Sequence, residues 1–139
     1  MARKTKERVI VDTNCWISFL IGRHFHGLVD LLSEEQIQLI VCDALIDEIR
    51  DVTTRPKFAK YFPSKEVESL LEFLQLVGET VNPSQQVHLC RDEADDYLLA
   101  LAIEANADYL VTGDLDLLVL GKVGNCQIVN VEAFEKVVR

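Results

Sequence analysis

Apolar positions in this chain fall into short β-branched runs alternating with longer stretches of helical spacing. Val9, Ile10 and Val11 run into Asp12-Thr13-Asn14, which predicts a buried strand over Arg8 to Asp12 and a helix opening at a cap-like start. Leu28, Val29, Leu31 and Leu32 suggest a helix from about Phe25 to Leu32, and Ile37 to Val41 reads as a second strand. Asp43 then caps a helix that carries Asp47 and Glu48 and ends near Thr53, ahead of Arg55-Pro56. From Ser64, the spacing of Val67, Leu70, Leu71, Leu74 and Val77 predicts an amphipathic helix closed by Gly78. Glu79 to Val81 reads as a short strand, and Asp92 caps a helix reaching about Ala105. Tyr109 to Thr112 reads as a further strand, Ile128 and Val129 as the last one, and Asn130 caps a C-terminal helix.

Strands separated by helices in this way imply an α/β fold with a parallel sheet covered on both faces. Ligands in such sheets bind beyond the carboxyl ends of the strands, where the strand order reverses. Two of the predicted strands end on acids, Asp12 and Asp114.

A length of 139 residues with 49% hydrophobic residues suits one globular domain. Every apolar run is broken well short of the roughly 20 residues needed to span a bilayer. The basic start through Arg8 passes directly into the first strand without a cleavage site, so a cytoplasmic protein is expected. Cys15, Cys42, Cys90 and Cys126 stand singly among apolar residues, without the spacing of a zinc site, and are expected to be buried thiols. His24 and His26 form a loop pair with no evident third ligand. A net charge of −9 argues against sequence-independent nucleic-acid binding, yet charge distribution matters more than the sum. Arg50, Arg55, Lys57 and Lys60 form a local basic run suited to an RNA backbone, and equally suited to a solvated helix end.

The acids carry the candidate chemistry. Asp12, Glu48, Asp92, Asp95, Asp96, Asp114 and Asp116 all fall at strand ends or early in helices facing one sheet edge. Massed carboxylates repel one another unless they bind protons or cations. Oxygen ligands without nearby His or Cys favour Mg2+ or Mn2+ over zinc, and two such ions about 4 Å apart suit in-line phosphodiester displacement. Each acid also has a plainer reading: Asp12 as a helix cap, Glu48 as a surface partner of Arg50 or Arg55, Asp92 with Asp95 as a capping pair, and Asp114 as a turn former.

Four segments extend this pattern: Val9 to Asn14; Asp47-Glu48-Ile49-Arg50 leading to Arg55-Pro56-Lys57-Phe58; Cys90 to Asp96 through Leu101-Ala102; and Ala107 to Leu118. In this order, over nearly the whole chain, they resemble the PIN-domain ribonucleases, and within them the bacterial VapC-like toxins of toxin–antitoxin systems. The resemblance implies a three-layer α/β/α domain over 1–139 with a flexible basic stretch at 1–7, and metal-dependent cleavage of single-stranded RNA. It implies Asp12, Glu48 and Asp114 as metal-binding catalytic acids, Thr13 or Asn14 at a metal-bound water or substrate phosphate, and Thr112 as support for the Asp114 loop. The third acid is Asp95 when counted back from Ala102 and Asp96 when counted back from Asp114; Asp95 is preferred because loops vary in length more readily than helices change register. Asp116 is expected as a supplementary ligand or as an acid supporting the ligands from behind. RNA contacts fall to Arg50, Arg55 and Lys57, and an antitoxin partner and a homodimer are expected.

Two other enzyme classes fit less well. A haloacid-dehalogenase-like phosphatase wants a second Asp where Asn14 stands, and a receiver domain wants a late Lys where only Lys122 and Lys136 are offered. A catalytically idle interaction module of the same fold remains the non-enzymatic alternative.

Overall fold

The computed structural model describes residues 6–22, 36–84 and 96–138. The expected helix between Phe25 and Leu32, and His24, His26, Cys90, Asp92 and Asp95, lie outside the described residues. The described elements run β1 (Glu7–Val11), α1 (Thr13–Leu20), β2 (Ile37–Val41), α2 (Asp43–Thr54) and a 3-10 turn (Ala59–Tyr61). They continue with α3 (Ser64–Val77), β3 (Glu79–Thr80), α4 (Asp96–Glu104), β4 (Tyr109–Val111), α5 (Leu115–Leu118), β5 (Lys122–Val123), β6 (Cys126–Val129) and α6 (Val131–Val138).

The strands form one sheet in the order β3-β2-β1-β4-β6-β5, parallel except for the β5–β6 hairpin. β1 lies inside the sheet with a parallel neighbour on each side, which explains its unbroken apolar run: Val9, Ile10 and Val11 are all buried. From β1 the chain steps outward to β2 and β3, then returns to β4 on the other side of β1. Right-handed crossovers put the helices of the outward steps on one face and α4 on the other. The strand order therefore reverses between β1 and β4, and the carboxyl ends of these strands lead into Asp12 and Thr112.

Local chemistry departs from the sequence-based expectations at several points. Asp43 is the first residue inside α2 and does not cap it. The cap is Cys42, whose side chain makes no capping hydrogen bond, and the Asp43 N–H is met by Asn82 Oδ1 at 2.8 Å from beyond β3. Gly78 does end α3, yet its backbone is extended and not left-handed. Space explains the glycine: an added Cβ would stand 2.5 Å from the Leu74 carbonyl oxygen and 3.2 Å from the Val41 side chain of β2. Asn106 supplies the one positive φ, 54°, among the described non-glycine residues, and the bond from Ala107 N to Ala102 O closes the end of α4 behind it. Downstream of Gly113, α5 and β5 are additions that the apolar pattern does not signal. Among the described residues, no helix is long and apolar enough to cross a membrane.

Candidate active site

Asp12 follows β1, is 4% exposed, and caps α1. Its Oδ1 accepts from the Thr13 N–H at 2.6 Å and its Oδ2 from the Thr112 hydroxyl at 2.7 Å. The plain cap reading is thus true of its geometry, but it describes only one of the two oxygens. Thr112, fully buried after β4, also accepts from the Asp114 N–H at 3.0 Å. One hydroxyl therefore ties the ends of the two central strands together. Asp114 in turn caps α5 through Oδ1, which accepts from the Asp116 N–H at 2.9 Å.

Glu48 approaches from the sixth position of α2. Its Oε1 accepts from the Thr13 hydroxyl and, at 2.8 Å, from the hydroxyl of Tyr97 on α4. A surface pairing of Glu48 with Arg50 or Arg55 is not what forms. Arg50 lies 3.9 Å from Asp47 and 3.8 Å from Glu68, and Arg55 lies 3.0 Å from Asp51. Tyr97 lies within the segment from Cys90 to Ala102 but is given no role by the sequence, where it stands beside Leu98 and Leu99. A contact 49 positions away in the chain assigns its hydroxyl.

These contacts have an electrostatic consequence at Asp12. Burial raises its carboxyl above the ordinary value, the hydrogen bonds from Thr112 and Thr13 oppose the rise, and the charges of Glu48 and Asp114 add to it. The like charges of three elements therefore meet at one buried carboxyl. Tyr97 is also shifted upward, first by burial and then by its bond to Glu48, so its hydroxyl stays protonated and donates. Beneath Asp12, burial and the Asp12 charge push the Cys15 thiol up to about 12, which keeps it inert.

The remaining candidates are placed as follows. Asp96 is the first residue of α4 and 8% exposed, beside Tyr97; Asp116 lies in the first turn of α5; and Asn14 is exposed in the first turn of α1. Gly113 does not reflect crowding, since a Cβ there would meet nothing within 4 Å; it leaves open space beside Asp114. In the basic run, Lys57 Nζ sits 4.9 Å from the centroid of the Phe58 ring and Lys60 Nζ 5.1 Å from that of Tyr61.

The donor set suits a hard divalent cation. Asp12, Glu48 and Asp114 offer carboxylate oxygens alone, and a cation would offset the burial and the like charges that raise Asp12. Among the described residues, no three acid, His or Cys side chains are already drawn close enough to share one ion.

A sequence profile of the PIN domain matches residues 8–116. An uncharacterized protein of Methanocaldococcus jannaschii is 33% identical over 120 residues, which cover 84% of this chain and 77% of that protein. Among solved structures, the PIN domain endonuclease Utp24 superposes with a TM-score of 0.56 at 17% identity, over 89% of this chain and 84% of its own. VapBC2 from Rickettsia felis, solved bound to a DNA fragment from its promoter, gives 0.58 at 15% identity over 88% and 98%. At such identities these two structures bear on the fold alone.

Proposed function

Because this chain belongs to the PIN domain family of nucleases, we propose that it is a metal-dependent endoribonuclease that hydrolyses phosphodiester bonds of single-stranded RNA. The observation that carries this reading is the convergence on Asp12: a buried carboxyl is raised by burial and by the neighbouring charges of Glu48 and Asp114, and a divalent cation would offset that cost. Asp12, Glu48 and Asp114 are the proposed ligands, with Mg2+ or Mn2+ as the ion and Asp116 as a supplementary ligand. For the remaining acid Asp95 is proposed, with Asp96, buried at the start of α4 beside Tyr97, as the alternative. When bound, the ion would supply charge neutralisation for a phosphodiester undergoing in-line displacement.

The chain's own groups prepare the site. Thr112 and the Thr13 N–H each hold one oxygen of Asp12, and Thr112 also anchors the Asp114 backbone. The open space at Gly113 and the exposure of Asn14 suit the approach of a backbone phosphate. Of the proposed RNA contacts Arg50, Arg55 and Lys57, Lys57 is the one whose charge is not shown paired with an acid. The resemblance to VapC-like toxins extends the reading to a cytoplasmic toxin that pairs with an antitoxin protein and forms a homodimer.

The test is cleavage of end-labelled single-stranded RNA by purified protein with Mg2+, with Mn2+ and with chelator. Cleavage is expected only with an ion and is expected to vanish in Asp12→Asn while the circular dichroism spectrum is retained. Chelator-resistant cleavage, or full activity of that variant, overturns the reading.

A further inference from the structure

Tyr97 is used by none of the acid motifs, yet its hydroxyl reaches from α4 to Glu48 on α2. Among the described residues, both donors to this carboxylate, Tyr97 and Thr13, fall on the same oxygen, Oε1. The terminal torsion of a glutamate is broad, so an unrestrained carboxylate samples many orientations. Two hydrogen bonds to one oxygen, from different helices, select a single orientation and leave Oε2 as the oxygen to meet a ligand. We infer that Tyr97 is a positioning residue which, with Thr13, presents Oε2 of Glu48 to the bound cation. The inference rests on the reading of Glu48 as a cation ligand.

A merely structural role is the alternative. A half-buried tyrosine hydroxyl commonly seeks a partner, and a bond between α4 and α2 would serve packing alone. The two roles separate in Mn2+ affinity, read from the free-ion signal by electron paramagnetic resonance, alongside thermal unfolding without metal. Groups that orient metal ligands typically contribute 10- to 100-fold to affinity. Tyr97→Phe keeps the ring and removes only the hydroxyl, and it is expected to weaken Mn2+ binding by about 10-fold. Thr13→Val is expected to act in the same direction, whereas Thr13→Ser, which keeps a hydroxyl, is expected to restore binding. In a Glu48→Gln background the Tyr97→Phe change is expected to have no further effect, because its influence passes through Glu48.

Unaltered Mn2+ affinity in Tyr97→Phe, with only a lowered melting temperature, overturns the inference and leaves a packing contact. An equal additional loss in the Glu48→Gln background overturns it as well. If Glu48→Gln alone leaves Mn2+ affinity at the wild-type value, the ligand reading of Glu48 fails first, and that result is distinct from the other two.

Discussion

Thr112 shows how much a single side chain carries here. It is fully buried, donates to Asp12 and receives the Asp114 N–H, so one hydroxyl couples two of the proposed ligands. Thr112→Val preserves shape and removes both bonds. Loss of a buried hydrogen bond that leaves its partner unsatisfied costs about 1–3 kcal/mol. The bond to Asp12 stabilises the charged carboxylate, so its removal raises the Asp12 carboxyl further. The penalty is accordingly expected to be largest at pH values where Asp12 is ionised and to shrink as pH falls and Asp12 takes up its proton. Urea unfolding of both proteins at neutral and acidic pH measures this, and a pH-independent difference contradicts it.

At the scale of elements, the end of α3 is set by contact and not by a left-handed turn. Gly78 sits against Val41 of β2 and the Leu74 carbonyl, with no room for a Cβ. Forcing a methyl group into such a place typically costs about 1–3 kcal/mol. Gly78→Ala is therefore expected to lower stability by that amount, whereas Gly113→Ala, which meets open space, is expected to unfold like the wild type. Thermal denaturation of the pair decides it, and equal effects at the two glycines would refute the distinction. The start of α2 follows the same logic, since Asn82 satisfies the Asp43 N–H from the far side of β3.

Across the whole molecule, acids gather without a basic partner at one end of the sheet and are paired with a base elsewhere. The carboxyl end gathers Asp12, Glu48 and Asp114. Arg8 of β1 grips Glu79 of β3 with both terminal guanidinium nitrogens, at 3.0 and 2.8 Å, and donates from Nε to the Ala105 carbonyl beyond α4 at 2.9 Å. The bond from Arg8 lowers the Glu79 carboxyl below its ordinary value. A carboxyl lowered on folding contributes stability above its unfolded value and loses that contribution as pH falls through the folded one. Because Glu79 is nearly half exposed, Glu79→Gln is expected to cost under about 1 kcal/mol at neutral pH. The difference should disappear below the ordinary carboxylate range, and a deficit persisting there would contradict the assignment of the effect to this ion pair.

Periodicity along the chain is enough to determine the parallel α/β character, the buried first strand, the amphipathic α3 and the position of acids at two strand ends. Those features depend on local spacing and on which residues avoid water, and both are written in neighbouring positions. Tertiary structure alone decides the rest. It brings the Tyr97 hydroxyl to Glu48, joins Asp12 to Asp114 through Thr112, meets the Asp43 N–H at the start of α2 with Asn82, and sets Arg50 beside Glu68 of α3. Each of the first three contacts joins residues whose proximity depends on strand order and helix packing. No local pattern encodes that order, so an apolar-looking Tyr97-Leu98-Leu99 hides a polar role until α4 is laid beside α2.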